Sequence, residues 1–299
     1  MTRINIIKMA TKNIELVLSP PEPHFVEDGF RVHNFIPGGY RADMERMNPF
    51  ILLDYGAKFY FSPTDRPRGV GVHPHRGFET VTIAYKGSVS HHDSTGQSGT
   101  IGEGDVQWMT AAAGILHKEY HEKEFSLKGG EMHMVQLWVN LPAKYKMSAP
   151  KYQSITNDKI GKFELEQEGG IIEVIAGEYK SIQGAAFTFS PVNLFNVKLN
   201  KSGKAGFSFP SNFNTALLVV EGSVVINGTE EVPTNHFALF QNEGEEFEVT
   251  ASDGAVALLM SGEDLREPIA AHGPFVMNTR SEILQAFDDY QNGKFGFLK

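Results

Sequence analysis

The 299-residue chain has no cysteine, and this absence excludes the most. Disulfide scaffolds, thiolate nucleophiles, iron–sulfur clusters and thiolate zinc sites are all removed. Any metal must be held by His, Asp or Glu. Long apolar runs are also missing. Ala216–Val220 and Ala255–Met260 are the longest, far short of the ~18–20 residues of a membrane span. The opening stretch Met1–Leu18 contains Ile4, Ile6 and Ile7 but no continuous apolar segment and no small-residue cleavage site. No secretory leader is expected, and a soluble, cytoplasmic protein is the working expectation. No long run of one charge sign occurs. Lys and Arg number 27 against 36 Asp and Glu, a net charge of −9, which argues against direct nucleic-acid binding. Phosphate-cradling Gly-x4-Gly-Lys-Ser/Thr and Gly-x-Gly-x2-Gly loops are absent, as is a Gly-x-Ser-x-Gly elbow.

What is present is mostly β. Short segments rich in Val, Ile, Phe, Tyr and Thr alternate with Gly, Asn, Asp and Pro turns. Thr80–Tyr85, Val106–Met109 and Met132–Leu141 read as strands, and many such strands predict a sandwich or barrel. One helix is predicted at Glu282–Gln291. Thr279 and Glu282 form a capping box, Ile283, Leu284, Phe287 and Tyr290 share a face, and Gly293 stops it. A boundary falls after Leu141, giving expected domains 1–145 and 146–299. The halves look alike. Glu79–Val89 and Asn214–Val224 both run as an apolar strand followed by a charged residue and Gly-Ser-Val, and Gly114 aligns with Gly244. This points to a duplicated β domain.

The chemistry concentrates in His73-Pro74-His75 and His117-Lys118-Glu119. Alternate residues of a strand share a face, so two such pairs on facing strands can offer three nitrogens and one oxygen to one ion. Without sulfur, the set suits Fe(II), Mn, Cu, Ni, Co or Zn. At this point Glu79 and Glu119 both stand as the carboxylate. The other histidines read more plainly. His91-His92-Asp93 is expected at an exposed hairpin end, with a place on a pocket rim as the alternative, His121 is expected to leave the barrel, and His133 is expected to be a hydrogen-bonded structural residue. Phe78 and Trp108 read as core with an aromatic pocket as the alternative.

His73-x-His75-x3-Glu79-x7-Gly87 followed by Gly114-x2-His117 resembles the cupin signature, with Ala112 where a Pro is usual. Within cupins, five blocks resemble the pirin family: residues 73–82, 104–111, 114–119, 136–142 and 273–279. The stretch Asn48–Asp54 fits its early strand. The resemblance runs from about Phe30 to Gly296. It implies a bicupin of two tandem β-sandwich barrels with one metal in the first. It also implies that the ligands are His73, His75, His117 and Glu119, leaving Glu79 a supporting or structural role. In the second half, His73 and His75 fall on Ser208 and Pro210, and His117 and Glu119 on Phe247 and Val249. All four ligands are missing there, and His236 does not restore them.

The activity implied by the resemblance is that of a quercetin 2,3-dioxygenase. One divalent transition metal, Fe(II) first among those named, would bind a flavonol-type aromatic substrate and dioxygen, and Glu119 would take the substrate proton as the catalytic residue. The alternative implied is a non-enzymatic metal- or redox-sensing protein that binds transcription factors or metabolic enzymes. A monomer or weak dimer with no membrane association is expected.

Overall fold

Alternating Val, Ile, Phe and Thr residues produce strands that pair, among the described residues, into two seven-stranded, two four-stranded and two two-stranded sheets. The structure is a computed structural model describing residues 10–38 and 41–299. Ile4, Ile6 and Ile7 lie outside the described residues.

In the first half, the seven-stranded sheet runs in the order Lys151–Ile155, Val106–Thr110, Phe78–Lys86, Gly130–Asn140, Phe50–Phe61, Phe30–Ile36 and His24–Val26. The four-stranded sheet facing it runs Gly69–His75, Ile115–His121, Val89–Asp93 and Ser98–Ile101. The second half repeats the plan. Its seven-stranded sheet runs Ile14–Leu18, Phe237–Phe240, Phe213–Glu221, Ala255–Glu263, Val192–Leu199, Gly170–Ala176 and Gly161–Glu164. Its four-stranded sheet runs Lys204–Ser208, Glu246–Thr250, Val224–Ile226 and Glu230–Val232. The sheets stay open as sandwiches and do not close into barrels.

The Gly-Ser-Val repeat marks the same corner twice. Gly87 and Gly222 both have positive φ, 85° and 70°, where a strand of one sheet hands over to the facing sheet. A side chain is strained in that region and glycine is not. The repeat therefore reports backbone geometry common to both halves.

Two details differ from the expected division at residue 145. Ile14–Leu18 pairs with Phe237–Phe240 of the second half, and Lys151–Ile155 pairs with Val106–Thr110 of the first. Each half thus receives an edge strand from the other. Between the halves, the two seven-stranded sheets pack face to face. Phe35, Tyr55, Val81, Trp108 and Leu137 meet Leu194, Leu218, Phe237 and Leu258 in one buried core. Phe35 stacks on Phe237 with centroids 5.4 Å apart.

The helix forms where the capping box predicts, over Arg280–Gln291, and both reciprocal hydrogen bonds of Thr279 and Glu282 are made. It packs beside the small hairpin Ala270–His272 and Phe275–Met277.

Candidate metal centre

The strand Gly69–His75 sits on the edge of its sheet, which is where a strand tolerates Pro74 and its missing N–H. Its register against Ile115–His121 slips between His117, opposite His73, and Glu119, opposite Val70. One extra residue is therefore inserted on the histidine strand. A bulge of this kind re-aims side chains. It brings Val70 and His73 to one face although they are three apart.

His73, His75 and His117 converge, with their ligand-capable atoms all within 4.8 Å of one another. The ring centroids lie 4.2 to 4.8 Å apart. His73 Nδ1 lies 2.7 Å from the Gly71 carbonyl, so donation there fixes the tautomer and leaves Nε2 with a free lone pair. Both nitrogens of His117 are buried without a hydrogen-bond partner, as is His75 Nδ1. Unpartnered buried nitrogens are costly, and a divalent ion would satisfy one on each ring. Burial, reinforced by the neighbouring imidazoles, holds His75 and His117 well below the usual histidine range. Burial also lowers His73 against the opposing Gly71 carbonyl. Neutral imidazole is the form that binds metal. The residues present therefore fit a transition-metal ion.

Glu119 lines the same cavity but its carboxylate is not part of the three-imidazole group. Thr82 Oγ1 lies 2.6 Å from Gln136 Oε1, to which it donates, and 3.4 Å from Glu119 Oε1. Burial raises Glu119 to about 7, opposed by Thr82.

Glu79 takes a different position. Phe78 and Thr82 face the site, through the edge contact of Phe78 with His75 and the Thr82 contact with Glu119. Strand alternation therefore turns Glu79 to the opposite side of the sheet. There it is buried, accepts a 2.7 Å hydrogen bond from Thr110, and is raised to about 7 by burial.

Several expectations need correction. His91 and Asp93 are buried, not at an exposed hairpin end. They stand opposite Glu119 and His117 on the neighbouring strand, which turns both inward. His91 Nε2 lies 2.6 Å from the Tyr152 hydroxyl. His121 does not leave the sandwich. It is buried beside Phe30 and Phe61, with Nε2 2.7 Å from the Gly29 carbonyl. Phe78 stacks on Trp138 beside His75, whereas Trp108 lies in the core between the halves. His133 is the expected hydrogen-bonded residue, 3.0 Å from the Tyr55 hydroxyl.

The end of the His73–His75 strand is tied to the C-terminal segment. Arg76 donates to Ala113 O at 2.6 Å and to Asp289 of the helix at 2.9 Å. Lys146, fully buried, donates to Gly77 O, Asn140 Oδ1 and Val276 O. Gly77 has φ 92° and its α-carbon faces the Val276 carbonyl so closely that a β-carbon would overlap it.

The cavity beside the imidazoles measures about 190 Å³. Apolar Val26, Phe30, Val32, Val70, Met134 and Trp138 form most of its wall, with Asp54, Gln136 and Glu119 as polar members. Sequence reasoning did not place Thr82, Gln136 or Asp54 at the site. Their signal was polar residues at alternate positions of otherwise apolar strands.

Comparison with known proteins now fits this geometry. Residues 29–139 match the Pirin family and residues 194–296 the Pirin C-terminal cupin domain. A Pseudomonas aeruginosa protein named “Putative quercetin 2,3-dioxygenase PA2418” is 46% identical over 272 residues, 91% of this chain and 94% of that protein. The chain belongs to the pirin family. The solved structure of a quercetin 2,3-dioxygenase from Acinetobacter baumannii superposes with a TM-score of 0.91 at 46% identity, covering 97% of this pirin and 100% of that chain. The bacterial pirin YhhW of Escherichia coli, solved in complex with nickel(II), shares the fold at a TM-score of 0.63 and 18% identity, covering 83% and 99%. The bicupin architecture expected from the sequence is thus the observed one. No helix among the described residues is long and apolar enough to cross a membrane.

Proposed function

We propose that this pirin is a metal-dependent dioxygenase acting on hydroxylated aromatic compounds, the class to which flavonols belong. The observation that carries the reading is the convergence of three neutral imidazoles, two of them with unpartnered buried nitrogens, beside a small, mostly apolar cavity. His73, His75 and His117 would hold one divalent transition metal, Fe(II) first, with Glu119 as the fourth ligand. When bound, that ion would lower the pKa of a coordinated hydroxyl and supply the redox chemistry toward dioxygen.

The chain's own groups do the rest. Trp138, Met134 and Phe30 line the space beside the imidazoles and would hold an aromatic ring there with water excluded. Glu119 opens onto the same space, braced from behind by Thr82, and would accept the hydroxyl proton. The hydrogen bond of His73 Nδ1 to the Gly71 carbonyl fixes that imidazole before substrate arrives. The names borne by the Pseudomonas and Acinetobacter relatives support the same class of chemistry.

The test is direct. The protein is loaded with Fe(II), its metal content measured, and oxygen uptake followed with quercetin and with one-ring phenols under air. Uptake that disappears in His75→Ala is expected, together with a loss of metal affinity beyond the ~10–100-fold typical of an outer-sphere partner. A fully loaded iron protein that consumes no oxygen with any of these compounds would sink the reading.

A further inference from the structure

The strand that carries His73 and His75 has an open edge. Among the described residues, Gly69–His75 has a sheet neighbour on one side only, the strand Ile115–His121. Backbone groups on the other edge have no ladder partner and must be satisfied elsewhere. The turn between His24–Val26 and Phe30–Ile36 reaches across from the facing sheet and does this. Asp28 Oδ1 accepts from Gly69 N at 2.9 Å, and Glu27 Oε2 accepts from Gly71 N at 3.0 Å. The turn lies so close that a β-carbon on Gly29 would overlap the Gly69 backbone. Gly29 O meets His121 Nε2 at 2.7 Å, on the strand that also carries His117 and Glu119.

Glu27 is the member of this turn that leads to the imidazoles. Gly71 falls inside the register slip, between Val70 opposite Glu119 and His73 opposite His117. A bulge leaves its extra residue outside the ladder, so something other than a strand must pin it. Glu27 takes the N–H of Gly71, and the carbonyl of the same residue takes His73 Nδ1 at 2.7 Å. If Gly71 shifts, His73 loses the acceptor that sets its tautomer and its angle. Backbone strain marks the same residue. Glu27 has φ 47°, a region that non-glycine residues occupy only when their surroundings hold them there. Its side chain is exposed, so packing does not account for that conformation. Val26 and Phe30, on either side of the turn, line the cavity beside the imidazoles. One turn thus forms part of the cavity wall and grips the histidine strand.

We propose that Glu27 is a positioning residue of the metal centre: by pinning the bulge at Gly71 it holds the His73 imidazole with Nε2 toward the ion. The proposal rests on the reading of the three imidazoles as a metal centre.

The first measurement needs no metal. Nitrogen NMR of the histidine side chains in the metal-free protein is expected to find the His73 proton on Nδ1, and to find the two tautomers mixed in Glu27→Ala. In the Co(II)-loaded protein, Glu27→Ala is expected to weaken metal affinity about tenfold, the low end for a partner behind a ligand. It should also shift the visible absorption bands that report ligand geometry. Glu27→Gln keeps an acceptor oxygen. A neutral acceptor makes a bond about half as strong as a charged one, so the loss should shrink to about threefold, with the spectrum restored. Asp28→Ala loosens the same turn without touching Gly71, and its affinity and spectrum are expected to match the wild type. Equal losses in Glu27→Ala and Asp28→Ala, or a His73 tautomer or metal affinity that Glu27→Ala leaves unchanged, would overturn this proposal and leave the metal reading standing. Wild-type protein that binds no Co(II) would overturn both.

Discussion

The two sandwiches have the same strand order and opposite interiors. In the first, His73 stands opposite His117 across the strand pair; in the second, Phe207 stands opposite Phe247. Phe209 then takes the place of His75, and Val249 that of Glu119. The sequence offset of Gly87 to Gly222 places Ser208 and Pro210 there instead. The strand register corrects this by one residue, which in a strand is the difference between the outer and inner face. The three phenyl rings lie 5.4 to 6.4 Å apart, centroid to centroid, in a hydrophobic cluster with Phe195, Phe240 and Leu259. The three imidazoles lie closer, with unpartnered nitrogens on His75 and His117. One scaffold therefore serves two uses. The apolar interior stabilises the fold, and the polar one retains buried groups that cost stability unless a ligand satisfies them.

Three changes would break or sharpen that contrast. The largest effect is expected in the second sandwich. Phe247→Ala removes a buried ring and should cost about 3–5 kcal/mol of unfolding free energy, with metal binding unaffected. Urea unfolding measures it, and a loss under about 1 kcal/mol would show that the aromatic cluster does not support that half.

The next effect acts at the seam between the halves. Burial pushes His133 down to about 4, so the folded protein keeps it neutral while the unfolded chain, with an ordinary histidine, binds a proton below about 6.5. The unfolded state binds more protons across this interval, and stability must fall as pH drops from about 6.5 to about 4. The full contribution is roughly 3 kcal/mol. Buried Glu79 and Glu119, raised to about 7, push the other way between about 7 and 4.5, so the measurement is a difference. Metal-free wild type and His133→Gln are unfolded in urea across this range, and the wild type should lose more stability on acidification. Parallel pH profiles would refute the assignment.

The smallest effect sharpens the polar interior itself. Thr82→Val removes the hydroxyl behind Glu119 and should weaken metal affinity about tenfold, read by competition with a chelator. Unchanged affinity would mean that Glu119 needs no bracing.

Much of this was legible in the chain. The strands at Thr80–Tyr85 and Val106–Met109 follow from local composition and turn residues. The helix cap at Thr279 and the corner glycines Gly87 and Gly222 are local features too, set by a few neighbouring residues. The candidate imidazoles showed through their alternate spacing. The inward faces of His91, Asp93 and His121 did not, because a run such as His91-His92-Asp93 has no apolar pattern to reveal which side is buried. The exchange of Ile14–Leu18 and Lys151–Ile155 between halves was hidden for a related reason, since an edge strand carries no mark of its partner.

The sequence by itself determined that any metal here is held by nitrogen and oxygen, that the chain is a tandem of two similar β units, and that only the first has a His-x-His pair. Those are matters of residue type and order. The tertiary structure decided which atoms meet. A one-residue bulge turns His73 inward, strand alternation turns Glu79 away, and cross-strand register lines up Asp54, Gln136 and Thr82 beside the imidazoles. Each depends on pairing between segments distant in sequence, where a shift of one residue exchanges the inside of a sheet for its outside.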